Sequence, residues 1–363
     1  MRHGRCPRLI PLLSAVAAAC SDGPTHAPPP GVVDLAAPWV RATPEAVGLD
    51  GTRLFVAGER AEDIEGMRSL LVVREGRLAF ERYYGGATAD GLAEIGTATE
   101  SVVSALVGIA LGDRLLERLD QPVGGFDVVR DLHPTEAHLG ITVRHLLTMT
   151  AGFAWGGDPD GAYRRWLASG DFLRYVLDGP LASPPGSSFR HNPAGVHVLG
   201  AVLEEAAERP LAVYADQVLL GRLGIGRRTW EDIGDGRANA GAGLALRPRD
   251  LARLGQLHLQ EGWSGSRSVV PSDWVAQATE AHFPWSVPIG PLGRVSYGFL
   301  WWRDLDRHAY FARDRGGQIL YVAPHASMVV VLTADRAEDG AGDPATEAAV
   351  LDLLVDHVLA AAR

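Results

Sequence analysis

The sequence predicts a mixed α/β (α+β) fold, in which helices flank an antiparallel sheet and a mostly helical lobe stands beside it. Residues 69–84 read as a β-hairpin: residues 70–73 are a β-rich apolar run, Glu75-Gly76 supply the turn, and residues 78–84 alternate apolar and polar side chains. The same period of two returns after residue 297, whereas residues 141–262 mostly follow the helical period. We therefore expect the early hairpin and the late strands to share one sheet, and the middle of the chain to form the helical lobe.

The remaining elements can be assigned in chain order. A helix that is apolar on most faces, and therefore buried, is expected at residues 99–111. The helices of the middle lobe are predicted at residues 143–149, 162–177, 195–208 and 249–261. The late strands are predicted at residues 297–303, 308–313, 318–322 and 328–333, before a closing amphipathic helix at residues 345–362.

This order of elements predicts one folded domain over residues 39–363. Its sheet lobe should comprise about residues 39–112 and 290–363, and its helical lobe about residues 113–289. Ligands are expected in the cleft between the two lobes.

Residues 1–19 predict a secretory signal peptide. Arg2, Arg5 and Arg8 precede an apolar run that is too short for a transmembrane helix. Cys20 follows three alanines, which predicts that this cysteine is lipidated; the alternative is plain signal-peptidase cleavage with Cys20 as a bystander. The Pro-rich residues 20–38 are expected to act as a tether. We therefore expect an exported protein on the periplasmic or extracellular face, anchored to the membrane by its lipid.

The composition excludes several classes of function. The net charge is −10 and no basic stripe is present, which argues against a nucleic-acid partner. All 34 basic residues are arginine, so no lysine can serve as a catalytic base. The sequence has no P-loop, dinucleotide fingerprint or H-E-x-x-H motif, and His133, His138 and His145 lack the spacing of a zinc site. We expect neither a metal ion nor a cofactor.

Four segments of the chain carry a family resemblance. They are residues 39–50 (WVRATPEAVGLD), 141–155 (ITVRHLLTMTAGFAW), 247–262 (RPRDLARLGQLHLQEG) and 315–324 (RGGQILYVAP). In this order they resemble the serine β-lactamase and penicillin-binding-protein superfamily, in particular its class C-like esterase and amide-hydrolase branch. The resemblance covers nearly all of the mature chain and implies a β-lactamase/transpeptidase-like fold.

The chemistry of that family lies in three motifs. In S-x-x-K the serine attacks a carbonyl and the lysine helps to take its proton. A Tyr or Ser motif on a loop of the helical lobe supplies a further proton-transfer group. A K-T-G or H-x-G strand motif holds a substrate carboxylate and lends a backbone N–H to the oxyanion hole.

By this resemblance, the side chains of all three motifs are replaced in this chain. Residues 97–100 read TATE at the S-x-x-K position, the Tyr position holds His191 followed by Asn192, and the strand motif reads RGG at residues 315–317. The resemblance thus implies a β-lactamase-related protein that has lost the family's activity, a pseudoenzyme of the cell envelope with a retained ligand cleft.

Thr97 and Glu100 allow two interpretations. Thr-x-x-Glu ahead of an apolar helix is typical of a capping box, in which each side chain bonds the backbone N–H of the other residue. Alternatively, Thr97 could be a nucleophile, His191 its base and Glu100 the group that orients His191. The second interpretation predicts an active esterase or amidase.

Four residues are candidates for ligand binding by their positions in the resemblance: Arg315, Gly317, Gln318 and Asn192. Arg315 could hold a carboxylate through a bidentate contact. The expected ligand is a small carboxylate, a peptide or a cell-wall fragment. A purely structural envelope lipoprotein with an empty cleft is the remaining alternative.

Overall fold

The computed structural model describes Met1 and residues 27–156, 159–335 and 343–362. Apart from Met1, the predicted signal peptide lies outside the described residues, and so does Cys20. Nowhere in the described ranges is a helix both long and apolar enough to cross a bilayer.

An antiparallel sheet of eight strands forms the centre of the fold, in the order β2-β1-β13-β12-β11-β10-β9-β8. Its strands are β1 (Met67–Arg74), β2 (Arg77–Tyr83), β8 (Val287–Ile289), β9 (Leu292–Tyr297), β10 (Trp302–Asp304), β11 (Ala309–Arg313), β12 (Ile319–Ala323) and β13 (Met328–Ala334). Two small sheets combine β3 (Ala93–Glu94), β5 (Leu244–Leu246) and β4 (Arg228–Trp230), and β6 (Trp263–Ser264) with β7 (Arg267–Ser268). The early hairpin and the late strands thus share one sheet, as expected.

Twelve α-helices are found in the described residues, most of them in the middle of the chain. They are α1 (Gly51–Glu62), α2 (Thr99–Gly112), α3 (Asp127–Arg130), α4 (Glu136–Leu139), α5 (Val143–Leu147), α6 (Pro159–Leu167), α7 (Phe172–Leu177), α8 (Pro193–Ala207), α9 (Leu211–Ala215), α10 (Pro248–Leu259), α11 (Ser272–Thr279) and α12 (Pro344–Leu353). Short 3-10 and π-helical turns lengthen several of them, including Leu354–Val358 after α12.

The sheet has a hydrophobic core on each face. Because successive side chains of a strand point to opposite faces, Leu71 and Val73 of β1 join one core and Leu70 and Val72 the other. The first core continues into the helical lobe around the buried, mostly apolar helix α2, which packs against α8 and α11. The second core lies under α1 and α12, near the chain's two ends. This arrangement confirms the predicted two-lobed α+β fold.

Two predicted elements are each divided in the structure. The strand expected at residues 297–303 is interrupted between β9 and β10, because Leu300 takes a left-handed backbone (φ 61°) and donates its N–H to Leu147. The helix expected at residues 162–177 is split into α6 and α7 around Gly170, which also has a positive φ (70°). Left-handed residues cannot continue a strand or a helix.

The second half of the predicted tether packs onto the fold. Leu35 is only 2% exposed and belongs to the first core. Its backbone N–H donates to Ser264 Oγ at 2.9 Å, and the backbone of Val33 bonds the Gln260 side chain. The folded part therefore begins several residues before Trp39, because an apolar side chain in the Pro-rich segment finds a buried place.

Candidate functional site

Thr97 lies where the polypeptide turns from β3 into the buried helix α2. Residues Gly96–Ala98 form a 3-10 turn against β11. The Thr97 hydroxyl donates to the backbone carbonyl of Arg313 at 2.8 Å, and the Thr97 N–H donates to Asp314 Oδ1 at 3.1 Å. Both polar groups of Thr97 are therefore engaged with the end of β11.

The expected capping box is absent. The residue that precedes α2 is Ala98, which has no capping side chain, because the 3-10 turn comes between Thr97 and the helix. The hydroxyl of Thr97 bonds Arg313, and the side chain of Glu100 bonds His191. The capping interpretation of Thr97 and Glu100 is wrong, since these side chains bond Arg313 and His191 and no side chain caps the start of α2.

Glu100 is a buried acid, 2% exposed, in the first turn of α2. Its Oε2 lies 3.1 Å from His191 Nε2, and the Tyr297 hydroxyl also interacts with this carboxylate. Oε1 has no hydrogen-bond partner within the described ranges. Burial raises the pKa of Glu100, the charge of Asp314 adds to this rise, and His191 opposes it.

His191 is held at the start of the helical lobe's longest helix. The next residue, Asn192, caps α8 by accepting the Gly195 N–H at its Oδ1. The imidazole stacks on Trp302 with ring centroids 5.9 Å apart. The structure thus brings together two members of the hypothetical triad, His191 and Glu100, while the Thr97 hydroxyl is bonded to Arg313.

Asp314 is a site residue that the sequence analysis missed. It is 5% exposed, and its carboxylate accepts from the backbone N–H of Thr97 and, at 3.4 Å, from that of Gly316. An Asp between a strand and a Gly-Gly pair is a usual turn residue, so nothing local marked it. Only the contact with Thr97, 217 residues away in sequence, identifies its place.

The candidate ligand-binding residues prove to be mostly occupied within the fold. Gln318 is fully buried and donates to the Ala334 carbonyl at 2.6 Å, so it presents no exposed atom to a ligand. Gly317 has φ 87° and donates its N–H to Asp314 O. Asn192 is 4% exposed, and its Nδ2 has no partner among the described residues. Arg315 lies partly exposed on the turn between β11 and β12.

Arg313 provides a largely buried positive charge beside the site. Its guanidinium lies 5.1 Å from the ring centre of Trp302 and forms an ion pair with Glu347 of α12. Burial lowers the pKa of Arg313 to about 10, which still leaves it charged at neutral pH. Arg313 lies near the site because β11 pairs within the central sheet, and its neighbours in sequence do not predict that position.

A cavity of about 730 Å³ opens beside β3. Its lining includes Arg68, Glu94, Tyr163, Glu231 and Asp335. Neither Thr97, Glu100 nor His191 contributes to it, so this cavity is separate from the predicted site. Within the described ranges, no three His, Cys, Asp or Glu side chains come close enough to hold a metal ion.

We expect Glu100→Gln to gain stability relative to the wild type as the pH rises. Because burial raises the folded pKa of Glu100 above 4.5, the folded protein holds this proton more tightly than the unfolded chain does. The stability from the protonated carboxyl is fully present below pH 4.5 and is lost as the pH rises through the folded pKa. Glutamine cannot ionise and escapes this loss.

Chemical denaturation of both proteins between pH 4.5 and 8 measures the effect. The free energy of unfolding of the variant minus that of the wild type should increase over this window and then level off. A difference that decreases with pH would mean that a charged Glu100–His191 pair stabilises the fold, contrary to our assignment.

Comparisons with known proteins give a consistent result. A family model described as Beta-lactamase matches residues 52–354. The esterase EstB of Burkholderia gladioli is 33% identical over 97 residues, which make up 23% of this chain and 24% of the esterase. The match to this curated relative therefore spans about a quarter of its length.

Solved structures show the same fold at low sequence identity. A Bacillus anthracis protein assigned as a 6-aminohexanoate-dimer hydrolase superposes with a TM-score of 0.74 at 19% identity, over 91% of this chain and 90% of that chain. A penicillin-binding protein homologue from Caulobacter crescentus gives a TM-score of 0.62 at 15% identity, over 84% and 97% of the two chains. Since the family model spans most of the sequence and the fold agrees, this chain belongs to the β-lactamase family of serine hydrolases.

Proposed function

We propose that this protein is a catalytically degenerate member of its family, a pseudoenzyme of the cell envelope that binds a ligand without acyl transfer. One observation carries the proposal: the Thr97 hydroxyl donates to the Arg313 carbonyl, and the residue three positions on, Glu100, is a buried acid paired with His191. A nucleophilic hydroxyl needs a base that accepts its proton. Arg313 O cannot act as that base, and no lysine exists in the chain.

The proposal is tested by assaying turnover. The mature chain, without residues 1–20, is incubated with p-nitrophenyl acetate and with nitrocefin, beside Thr97→Ala and a protein-free blank. We expect both proteins to match the blank, while an active esterase of the family sets the detection limit. A wild-type rate at least tenfold above that of Thr97→Ala would overturn the proposal.

The hydrogen bond between Glu100 and His191 favours a second candidate function. A carboxylate that orients an imidazole supplies two of the three members of a catalytic triad. The 3.1 Å contact between Glu100 and His191 fits that role. In this hydrolase the Thr97 hydroxyl would release Arg313 O and turn to the other ring nitrogen of His191. His191→Ala and Glu100→Gln would then abolish the same activity that Thr97→Ala abolishes, and this joint loss distinguishes the triad from unspecific background.

We further propose that the ligand is a neutral or cationic peptide or cell-wall fragment rather than a small carboxylate. The Asp314 carboxylate lies buried at the site, and its negative charge repels an anionic ligand. Peptides with and without a free carboxylate can be compared by thermal shift. Stabilisation by neither would support a purely structural role.

The cellular location is proposed from the N-terminal sequence. An exported lipoprotein would carry its lipid on Cys20 and face the periplasm or the exterior. We expect wild-type protein in the membrane fraction and Cys20→Ser in the soluble fraction, as measured by fractionation and immunoblotting. An unchanged distribution of Cys20→Ser would contradict lipid anchoring.

A further inference from the structure

We propose that the Asp314 carboxylate is a built-in anion held by the backbone N–H groups of Thr97 and Gly316, and that its removal uncovers a binding site for small carboxylates. The inference rests on the proposed function only in that Thr97 stands at the nucleophile position. Besides the replaced nucleophile and base, the Asp314 carboxylate would itself prevent a substrate carbonyl from reaching these N–H groups.

The carboxylate has the contacts that an oxyanion would have. Preorganised backbone N–H groups about 3 Å from a developing negative oxygen are what an acyl-transfer site supplies. Here Thr97 N lies 3.1 Å from Asp314 Oδ1 and Gly316 N lies 3.4 Å from Oδ2. Thr97 also precedes the fourteen-residue helix α2, whose N-terminal end favours negative charge.

Only one of the two hydrogen bonds to Asp314, the one from Gly316, is explained by the local turn. An Asp side chain that accepts the N–H two residues on, as from Gly316, is a common turn feature. The contact with Thr97 joins two distant segments, and it depends on Gly96. A Cβ built on Gly96 would lie 2.4 Å from Asp314 Cγ, so only glycine lets the carboxylate approach this closely. Asp314 is 5% exposed, so its side chain leaves little room for water beside the Thr97 N–H.

The consequence is a latent anion site. When Asp314 is shortened to alanine, two backbone donors lose this acceptor, one just before α2 (Thr97) and one on the turn between β11 and β12 (Gly316). A small carboxylate such as acetate matches the lost group in charge and shape, and it should bind there in place of the side chain.

The test measures acetate binding to the mature chain of wild type, Asp314→Ala and Asp314→Asn by backbone amide NMR. We expect saturable shifts of the Thr97 and Gly316 amides in Asp314→Ala, with an affinity at least tenfold above that of the wild type. Asp314→Asn is the matched control, because its side chain fills the same space, its single amide oxygen can still accept from the Thr97 N–H, and it should block acetate. Asp335→Ala, which removes an exposed acid, should behave as the wild type does.

Folded Asp314→Ala without saturable shifts at these two amides would overturn the proposal, as would equal acetate binding by the wild type. If Asp314→Ala is too unstable for NMR, its melting temperature is compared in acetate and in chloride at equal ionic strength. A larger rise in acetate, absent from Asp314→Asn, supports the proposal, and equal rises contradict it. Ester turnover by the wild type would refute the proposed function while leaving this binding result to be judged separately.

Discussion

Replacing Gly96 with alanine is expected to destabilise the protein by on the order of 3 kcal/mol, combining backbone strain and overpacking. Gly96 has φ 54°, a conformation that side chains other than glycine adopt at a cost. A methyl group here would also collide with the buried carboxylate of Asp314, whose Cγ would lie 2.4 Å away. The free energy of unfolding from urea or guanidinium titration measures the loss.

A control glycine separates the two causes. Gly86 has a positive φ of 80°, but a Cβ there would meet nothing within 4 Å. Gly86→Ala should therefore cost only the strain, about 1 kcal/mol. Asp314→Ala would still leave a Cβ 2.7 Å away, whereas Asp314→Gly removes the whole side chain. In the Asp314→Gly background, Gly96→Ala should therefore lose roughly 2 kcal/mol of its cost in a double-mutant cycle. Additive costs would mean that Gly96 and Asp314 do not approach each other as described.

Acidification from pH 6.5 to 4 should remove about 3 kcal/mol of stability through one histidine, His258. It is buried in α10, donates its Nδ1–H to Leu254 O, and packs on Trp301 with ring centroids 4.7 Å apart. Burial lowers the pKa of His258 to about 4. Because the unfolded chain takes up the proton near pH 6.5 and the folded protein only near pH 4, stability is present above pH 6.5 and is lost as the pH falls between these values.

The measurement compares the wild type with His258→Phe, which keeps a ring against Trp301 but cannot take up a proton. The variant should be about 3 kcal/mol more stable at pH 4, relative to the wild type, than it is at pH 7. Other titrating groups, Glu100 included, are common to both proteins and cancel. Gln256→Leu, a buried and non-titrating change in the same helix, should shift stability equally at both pH values. A pH-independent difference for His258→Phe would contradict the assignment.

The sequence predicted the fold and part of the site. Alternation in residues 69–84 and in the late strands predicted one sheet, and β1, β2 and the strands from β9 to β13 share it. The apolar residues after Thr99 predicted a buried helix, which is α2. The pairing of His191 with Glu100 was available as a hypothesis, since both positions correspond to catalytic positions in the resemblance, and the two side chains do meet.

The same local patterns misled where a distant contact competes. Thr97 and Glu100 fit a capping box by spacing, yet each side chain bonds a partner from another part of the chain. Gln318, a ligand candidate by its position in the resemblance, is buried by the packing around β12 and β13. A sequence spacing that allows a hydrogen bond between residues i and i+3 does not establish that bond, because strands and helices from distant parts of the chain can offer better partners.

By itself the amino-acid sequence determined the two-lobed α+β architecture, because hydrophobic periodicity acts within a few residues and needs no knowledge of distant partners. It also determined that lysine chemistry is absent, since composition alone decides that. Only the tertiary structure decided the state of the site. The approach of Asp314 to Thr97 depends on the pairing of β11 within the sheet, on the turn before α2 and on the missing side chain of Gly96. Those segments are more than two hundred residues apart, and their contact exists only after the two distant parts of the sheet lobe have packed together.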